Sequence, residues 1–541
     1  MANMQQQGKT RAARVRKGHL DVRGRPLHYV RQGSGPAVVL LHASPCSARV
    51  MAPLQDLWSA EFTTFAFDLP GFGLSGPPDA DEVTIPLLAD IVAEGMRQLG
   101  IGQAALYGRH TGASVALAIA VQHPDLAALL VTDGLPIFAE PYSDERLERY
   151  LAPIEPAADG THLPWTLFRY REQHVFWPWD AKDLAHRASA DLPDIDFLHR
   201  GMLDMIEAAE TYAPTYRAAF RYSTLDHIGG LRCPAVFGNR PGDSQFKTIR
   251  MYPEGAPVRV ISRDPEAAAQ EEFELLRLTP ATGEVPEWRH RFGAANAVTD
   301  YLPTRHGVVY AIGRSLEADG MPRLFLPDMP GAAQLHGEEI AALAGDGPVL
   351  AIDLGGMGNS DIEAPVSLEL WLEQIDDVVE EMGWPQVELV GNGLGGTVAA
   401  AFAAHRPERV RALLLRSPAL LTDEERAAFR AHPAPEILPV ADGGYLLRLW
   451  HHLRDQELWW PWFDTSHRGI RKAEPQIAAG DLNRRAIAIL KQPQHYAAIW
   501  SLLIDRDPAA DLASLSQPVR IVSDPSDVFA PVAHRHAGCA G

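Results

Sequence analysis

The chain has 541 residues, of which 46% are hydrophobic and 22% charged, and its net charge is −20 at pH 7. That length exceeds one ordinary hydrophobic core and predicts two large globular domains. An acidic chain repels phosphate, so nucleic acid is not an expected partner. Apolar runs are only strand length, so no membrane association is expected. The three cysteines fit neither a metal site nor a disulfide framework, which favours a cytoplasmic protein without metal or cofactor.

The elements predicted along the first half alternate between strands and helices. Residues 1–17 are basic, lack an apolar core and predict a disordered tail. Apolar runs then predict successive strands at 37–41, 63–67, 104–107, 129–132, 235–237 and 258–261. Helical patterns between them indicate a doubly wound, mostly parallel α/β sheet. The segment from 134 to about 228 is helical and rich in Trp and Tyr. We expect it to form a cap over the carboxyl ends of the strands, where such sheets bind ligands.

The second half repeats the first. Phe-Trp-Pro-Trp at 176–179 returns as Trp-Trp-Pro-Trp at 459–462, and an offset of 283 residues also maps Gly108 onto Gly391. Such a register predicts a duplicated unit. The predicted organisation is listed here: unit 1 at 18–278 with its cap at 134–228, a Pro- and Gly-rich linker at 279–304, and unit 2 at 305–541 with its cap at about 418–512.

Three loops of unit 1 carry a family resemblance. Asp-Leu-Pro-Gly-Phe-Gly-Leu-Ser at 68–75 resembles the Asp-x-Pro-Gly-x-Gly-x-Ser loop of the α/β-hydrolase family almost residue for residue. His-Ala-Ser-Pro at 42–45 resembles its oxyanion loop, and Gly-Arg-His-Thr-Gly at 108–112 occupies its nucleophile elbow. The resemblance covers nearly all of 18–278 and, less fully, 305–530. It implies two tandem α/β-hydrolase-like units, each with a helical cap.

Neither elbow presents a Ser, Cys or Asp. Unit 1 places His110 there, and unit 2 offers only Gly393. The strand at 258–261 is followed by Ser-Arg-Asp, where the family has its catalytic His. Unit 2 ends soon after Asp527, which matches the family's acid loop, so we expect it to lack its last strand. The Ser-His-Asp triad is therefore absent from both units.

A different cluster is expected in unit 1. The family's strand order makes the strands before His42, His110 and Asp133 neighbours, so we expect Asp133 to face His110 and support it as a general base. The resemblance places the backbone N–H groups of Ser44 and Thr111 in an oxyanion hole. His42 is a candidate for substrate binding, although this residue more often holds its loop in the family.

Other interpretations of these residues stay open. His110 can line the pocket of a dead enzyme, and Asp133 can cap the chain leaving its strand. Ser44 and Cys46 are alternative, displaced nucleophiles.

The cap offers its own candidates for substrate binding. Arg171 and His174 carry polar tips in an apolar roof, and Trp177 belongs to the repeated aromatic motif. That motif is equally typical of packing within the cap.

The sequence favours an enzyme that hydrolyses an ester, lactone or activated C–C bond of a small, partly apolar substrate in unit 1. A lyase or cyclase using the same site is one alternative, and a catalytically dead small-molecule-binding protein is another. Unit 2 is expected to be silent and to act as a scaffold, since Arg416 stands where unit 1 has Asp133. Its truncated sheet would expose an edge, which predicts packing on unit 1 or a homodimer through unit 2.

Overall fold

A computed structural model describes residues 15–138, 140, 142–189, 191–292, 298–362 and 364–533. Contacts divide the chain into two compact units, Met1–Glu155 with Trp165–Arg289 and Pro156–Pro164 with His290–Gly541. The tail predicted for residues 1–14 lies outside the described residues. Arg16 and Lys17, which were predicted to belong to that tail, are instead part of the first strand.

Unit 1 contains one eight-stranded sheet. Its strands are β1 (Arg16–Val22), β2 (Arg25–Gln32), β3 (Ala37–Leu41), β4 (Thr63–Phe67), β5 (Ala104–Arg109), β6 (Ala127–Asp133), β7 (Ala235–Asn239) and β8 (Val258–Val260). They lie in the order β1-β2-β4-β3-β5-β6-β7-β8. The β1–β2 and β2–β4 pairs are antiparallel, and every later pair is parallel. The hairpin β1–β2 was missed because basic and histidine side chains interrupt its apolar pattern.

The helices of unit 1 cover the sheet and form its cap. They are α1 (Ala52–Trp58), α2 (Ile85–Gln98), α3 (Thr111–Gln122), α4 (Asp144–Tyr150), α5 (His162–Glu172), α6 (Ile195–Glu207), α7 (Tyr212–Arg221), α8 (Thr224–Ile228) and α9 (Pro265–Leu278). Helices α4 to α8 lie between β6 and β7, where the cap was predicted. Strands β3 and β6 are buried along their whole length, which explains their unbroken apolar runs.

Unit 2 repeats this topology with seven strands. They are β9 (Thr299–Thr304), β10 (Gly307–Arg314), β11 (Arg323–Leu326), β12 (Val349–Ile352), β13 (Val387–Asn392), β14 (Val410–Arg416) and β15 (Val519–Val522). Their order, β15-β14-β13-β11-β12-β10-β9, is that of unit 1 without an equivalent of β8 in the described part of the chain. Strand β9 begins inside the segment predicted as linker, so the second sheet starts earlier than expected.

The helices of unit 2 follow the same plan. They are α10 (Gly337–Leu343), α11 (Leu368–Glu381), α12 (Gly395–His405), α13 (Asp423–Ala431), α14 (Gly444–Leu458), α15 (Ala479–Leu490), α16 (Tyr496–Asp505), α17 (Pro508–Ala513) and α18 (Ala530–Ala533). Helices α13 to α17 form the cap between β14 and β15. The predicted pair of doubly wound, capped sheets is therefore confirmed. None of the helices in the described ranges combines the length and apolarity that crossing a bilayer requires.

Candidate functional site

The elbow of unit 1 is a strained turn between β5 and α3. His110 sits in that turn with φ 46° and ψ −115°, a conformation that non-glycine residues rarely adopt. Its flanking glycines are needed for close backbone approach. A Cβ on Gly108 would lie 2.3 Å from the carbonyl oxygen of Gly112, and one on Gly112 would lie 2.0 Å from that of Leu41. The turn therefore presents the His110 side chain as a hydrolase elbow presents its nucleophile.

The partner of the His110 ring is Asp243. Nε2 of His110 lies 2.9 Å from Oδ2 of Asp243, and the two side chains are 28% and 17% exposed. Asp243 comes from the loop after β7, and the N–H of Gln245 donates to its Oδ1 at 2.7 Å. That second bond fixes the direction of the carboxylate, so the ring is held by a preoriented acceptor.

The pair shifts both acid–base equilibria. Burial alone would lower the pKa of His110, but the charge of Asp243 and its hydrogen bond outweigh burial and raise that pKa. Burial would raise the pKa of Asp243, but the charge and hydrogen bond of His110 outweigh it and lower that pKa. The arrangement thus favours an imidazolium beside a carboxylate.

Asp133 does not pair with the ring of His110, contrary to the sequence-based expectation. Its Oδ2 lies 2.9 Å from Nε of Arg109 and 2.9 Å from an Nη of Arg240. The strand register explains this choice. Arg109 and Asp133 are paired residues of β5 and β6, so their side chains share one face of the sheet, whereas His110 lies beyond the end of β5. Asp133 is a buried counterion for two arginines.

Below these residues the charged network continues into the core. The same Nη of Arg240 lies 3.3 Å from Glu272, which also accepts a hydrogen bond from the hydroxyl of Tyr107 at 3.1 Å. Burial, followed by the charge of Asp133, raises the pKa of Glu272 to about 7. Mutual pairing is what makes such buried charges tolerable.

His42 is a structural residue and not a substrate-binding one, which corrects the sequence-based candidate. The ring is fully buried. Its Nε2 accepts the N–H of Leu69 at 2.9 Å, so Nδ1 carries the proton and donates to the carbonyl of Ala43 at 2.9 Å. Burial lowers the pKa of His42 and keeps the ring neutral. The ring ties the loop after β3 to the loop after β4.

The two alternative nucleophiles lack activation. Burial raises the pKa of the Cys46 thiol to about 12, which disfavours the reactive thiolate. The Oγ of Ser44 is buried and has no hydrogen-bond partner among the described residues, so no base is in place to take its proton. Neither side chain has the surroundings that a displaced nucleophile needs.

The oxyanion pair can be compared with its duplicate in unit 2. The N–H of Thr111 lies in the first turn of α3, where a helix offers it no acceptor. The positions equivalent to Ser44 and Thr111 are Met329 and Leu394. Both of their N–H groups donate to one oxygen, Oδ1 of Asp328, at 2.9 Å each. In unit 2 this pair of amides thus converges on a single anionic oxygen.

The elbow of unit 2 carries no reactive side chain. Gly393 has φ 49°, close to the value at His110, and a Cβ there would lie 2.2 Å from Asp328. The acid-loop residue Asp527 accepts a hydrogen bond from the hydroxyl of Ser417 at 2.6 Å. Arg416 is ion-paired with Glu339. The acid position of unit 2 therefore holds a hydroxyl where unit 1 holds an imidazole.

The cap candidates are placed differently from one another. Arg171 is largely exposed and lies 3.4 Å from its neighbour Glu172. The ring of Trp177 packs edge-on against Tyr150, with centroids 6.1 Å apart, and so contributes to cap packing. His174 alone of the three has a buried polar atom, Nε2, without a partner among the described residues.

Sequence reasoning missed Asp243, Arg109, Arg240 and Glu272. For Asp243 a signal existed. Asp527 matched the family's acid loop, and an offset of 284 residues maps both Pro241 onto Pro525 and Asp243 onto Asp527. The other three are contributed by separate strands and a helix, so that only folding brings them together.

Comparison with known proteins agrees with this geometry. The family model for the alpha/beta hydrolase fold matches residues 36–176 and again residues 324–434. The chain is therefore an α/β-hydrolase-fold protein that carries the fold twice.

Individual relatives are hydrolases that match over short stretches. A fluoroacetate dehalogenase from Burkholderia sp is 32% identical over 138 residues, 25% of this chain and 44% of that protein. A bifunctional epoxide hydrolase 2 from Rattus norvegicus is 32% identical over 128 residues, 23% of each chain. A zearalenone hydrolase from Cladophialophora bantiana is 28% identical over 187 residues, 31% of this chain and 69% of that protein. The chain thus spans less than half the length of the first two.

Among solved structures, epoxide hydrolase A from Mycobacterium thermoresistibile is similar to this chain. The match has 21% sequence identity and a TM-score of 0.38, and it covers 50% of this chain and all of that one.

Proposed function

We propose that unit 1 is a hydrolase-type enzyme acting on a small, partly apolar ester, lactone or activated C–C bond, with His110 as its general base. One observation carries the proposal. The elbow presents an imidazole whose Nε2 lies 2.9 Å from the preoriented carboxylate of Asp243. That carboxylate selects the ring's orientation and supports the imidazolium formed during proton transfer. The base thus occupies the place where the family keeps its nucleophile.

The reaction begins with neutral His110, Nε2–H directed at Asp243. Nδ1 takes a proton from water as the water oxygen attacks the carbonyl carbon. The oxygen of the tetrahedral intermediate accepts hydrogen bonds from the N–H groups of Ser44 and Thr111. Collapse of the intermediate breaks the bond to the leaving group, which takes the proton back from His110. Water is consumed, and no covalent enzyme intermediate forms.

Unit 2 supports the proposed oxyanion hole by analogy. The amides equivalent to Ser44 and Thr111 hold Oδ1 of Asp328, a negatively charged oxygen, at 2.9 Å from each nitrogen. In unit 1 the residue equivalent to Asp328 is Ala43, which has no side-chain oxygen. The same two donors then become available to a substrate oxygen.

We also propose that unit 2 is catalytically silent and serves as scaffold. Gly393 offers no reactive group, and Asp328 fills the space beside it. Strand β15 forms one edge of its sheet. Packing of a second copy through unit 2 stays a prediction.

Turnover screening with esters, lactones and β-diketones tests the proposal, using the wild type beside His110→Ala and His110→Gln. Losing a general base lowers turnover by about 10²- to 10⁴-fold. We expect both variants to lose activity while ligand binding survives. Product analysis separates hydrolysis from a lyase or cyclase reaction, in which His110 takes its proton from carbon. A wild type that binds these compounds without turning any over is a binding protein. An acyl adduct on Ser44 or Cys46 with activity intact in His110→Ala contradicts the mechanism.

A further inference from the structure

Two polar groups beside the elbow have no role in the mechanism above. The first is Arg109, the last residue of β5. Its Nε lies 2.9 Å from Asp133, and its side chain is 36% exposed. Neither Nη group has a hydrogen-bond or ion-pair partner within the described ranges. The guanidinium therefore keeps donors in reserve at the mouth of the site.

The second group is the ring of His174 in the cap. It packs against Tyr170 and Phe197, with centroid distances of 5.1 and 5.5 Å. Its Nε2 is buried, and no polar atom of the described residues bonds to it. Burial, followed by the charge of Arg109, lowers the pKa of His174 to about 4, so the ring is neutral near pH 7. A buried polar atom without a partner is unfavourable unless a ligand supplies one.

These groups belong to one region of unit 1. The Arg109 charge acts on Cys46, Tyr170 and His174 alike. Those three residues are also linked to each other, since the Tyr170 hydroxyl lies 3.6 Å from Sγ of Cys46 and its ring contacts that of His174. The cationic floor of the site thus lies near the unpaired nitrogen of its roof.

The surrounding charges leave an excess of positive charge there. Arg109 and Arg240 share the single carboxylate of Asp133. Glu272, which also contacts Arg240, has its pKa raised to about 7 by burial and is only partly ionised near neutral pH. An incoming anion would complete this network.

We infer that unit 1 recognises a carboxylate on its substrate, with one oxygen accepting from Arg109 and the other from Nε2–H of His174. The substrate class becomes a small ester or lactone that also carries a carboxylate. Charge-assisted hydrogen bonds of this kind are shorter and stronger than neutral ones. The inference rests on the proposed function for the identity of the site, but carboxylate binding itself needs no turnover.

Calorimetric titration of the full chain with two inert probes tests it. Phenylacetate carries the carboxylate, and phenylacetamide is its neutral counterpart of similar shape. We expect the wild type to bind phenylacetate about 10- to 100-fold more tightly. Arg109→Gln should abolish this preference. His174→Phe, which keeps the aromatic packing, should reduce it about 10-fold. Arg171→Gln removes an exposed cap arginine and is the matched control, expected to leave both affinities unchanged.

The outcomes separate the two proposals. Equal affinity for both probes, no phenylacetate binding at all, or a preference lost in Arg171→Gln instead overturns the carboxylate site. Should Arg109→Gln fail to fold, His174→Phe alone decides, and an unchanged preference there overturns the inference. Hydrolysis of neutral esters that depends on His110 but is not inhibited by phenylacetate preserves the proposed function and removes the carboxylate site. Selective phenylacetate binding without hydrolysis of any ester does the reverse.

Discussion

Replacing Asp243 by Asn removes the charge beside His110 and changes almost nothing in size. In the wild type the carboxylate accepts from Nε2 of the ring at 2.9 Å and raises the pKa of His110. The amide introduced by Asp243→Asn would offer a neutral oxygen or, if it turns, a donor that forces the ring proton onto Nδ1. That tautomer has no lone pair for water, so both consequences weaken the base.

The size of the effect is bounded by the role of the ring. General base catalysis as a whole contributes about 10²- to 10⁴-fold, so the partner of the base cannot contribute more. The pair is partly exposed, with 28% of His110 and 17% of Asp243 accessible, and water screens part of the lost charge. We therefore expect kcat/KM to fall about 10- to 100-fold at neutral pH.

The pH profile of kcat/KM makes the assignment specific. A general base acts when neutral, so activity rises with pH through the raised pKa of His110. In Asp243→Asn that pKa falls, and the acidic limb should move to lower pH. Asp133→Asn is the matched control, because Asp133 contacts Arg109 and Arg240, not the ring. A limb that moves in Asp133→Asn but not in Asp243→Asn would refute the assignment and favour the sequence-based one.

Three further predictions concern stability. In urea denaturation, Gly112→Ala should lower the free energy of unfolding by about 1–3 kcal/mol, because the new Cβ would lie 2.0 Å from the carbonyl oxygen of Leu41; an unchanged midpoint would contradict the elbow geometry. Asp328→Ala leaves two amides without their acceptor and should destabilise the chain by about 2–4 kcal/mol, whereas Asp328→Asn keeps Oδ1 and should lose less; equal losses would argue against these bonds. Since the folded pKa of His110 is raised, its pairing with Asp243 stabilises the fold fully below pH about 6.5 and this contribution disappears as pH rises through the folded value; Asp243→Asn should remove that dependence.

The fold could be predicted further than the site. Buried strands such as β3 show as continuous apolar runs, and the loops at 42–45, 68–75 and 108–112 lie where the resemblance places them. The polar hairpin β1–β2 shows no such pattern. Strand order predicted that the strands before His110 and Asp133 are neighbours, which is confirmed. It could not reveal which side chains meet beyond the strand ends, because that depends on a loop after β7, 133 residues along the chain from His110.

The carboxylate of Asp328 has a consequence for measurements on the whole chain. It acts as a ligand that is covalently part of unit 2, held by the same two amides that a bound oxyanion would use. An intramolecular occupant of this kind cannot be diluted away, and an external anion would have to displace it. We therefore expect saturation at one ligand per polypeptide, although the fold occurs twice. Titrations fitted with two sites would underestimate the active fraction by half.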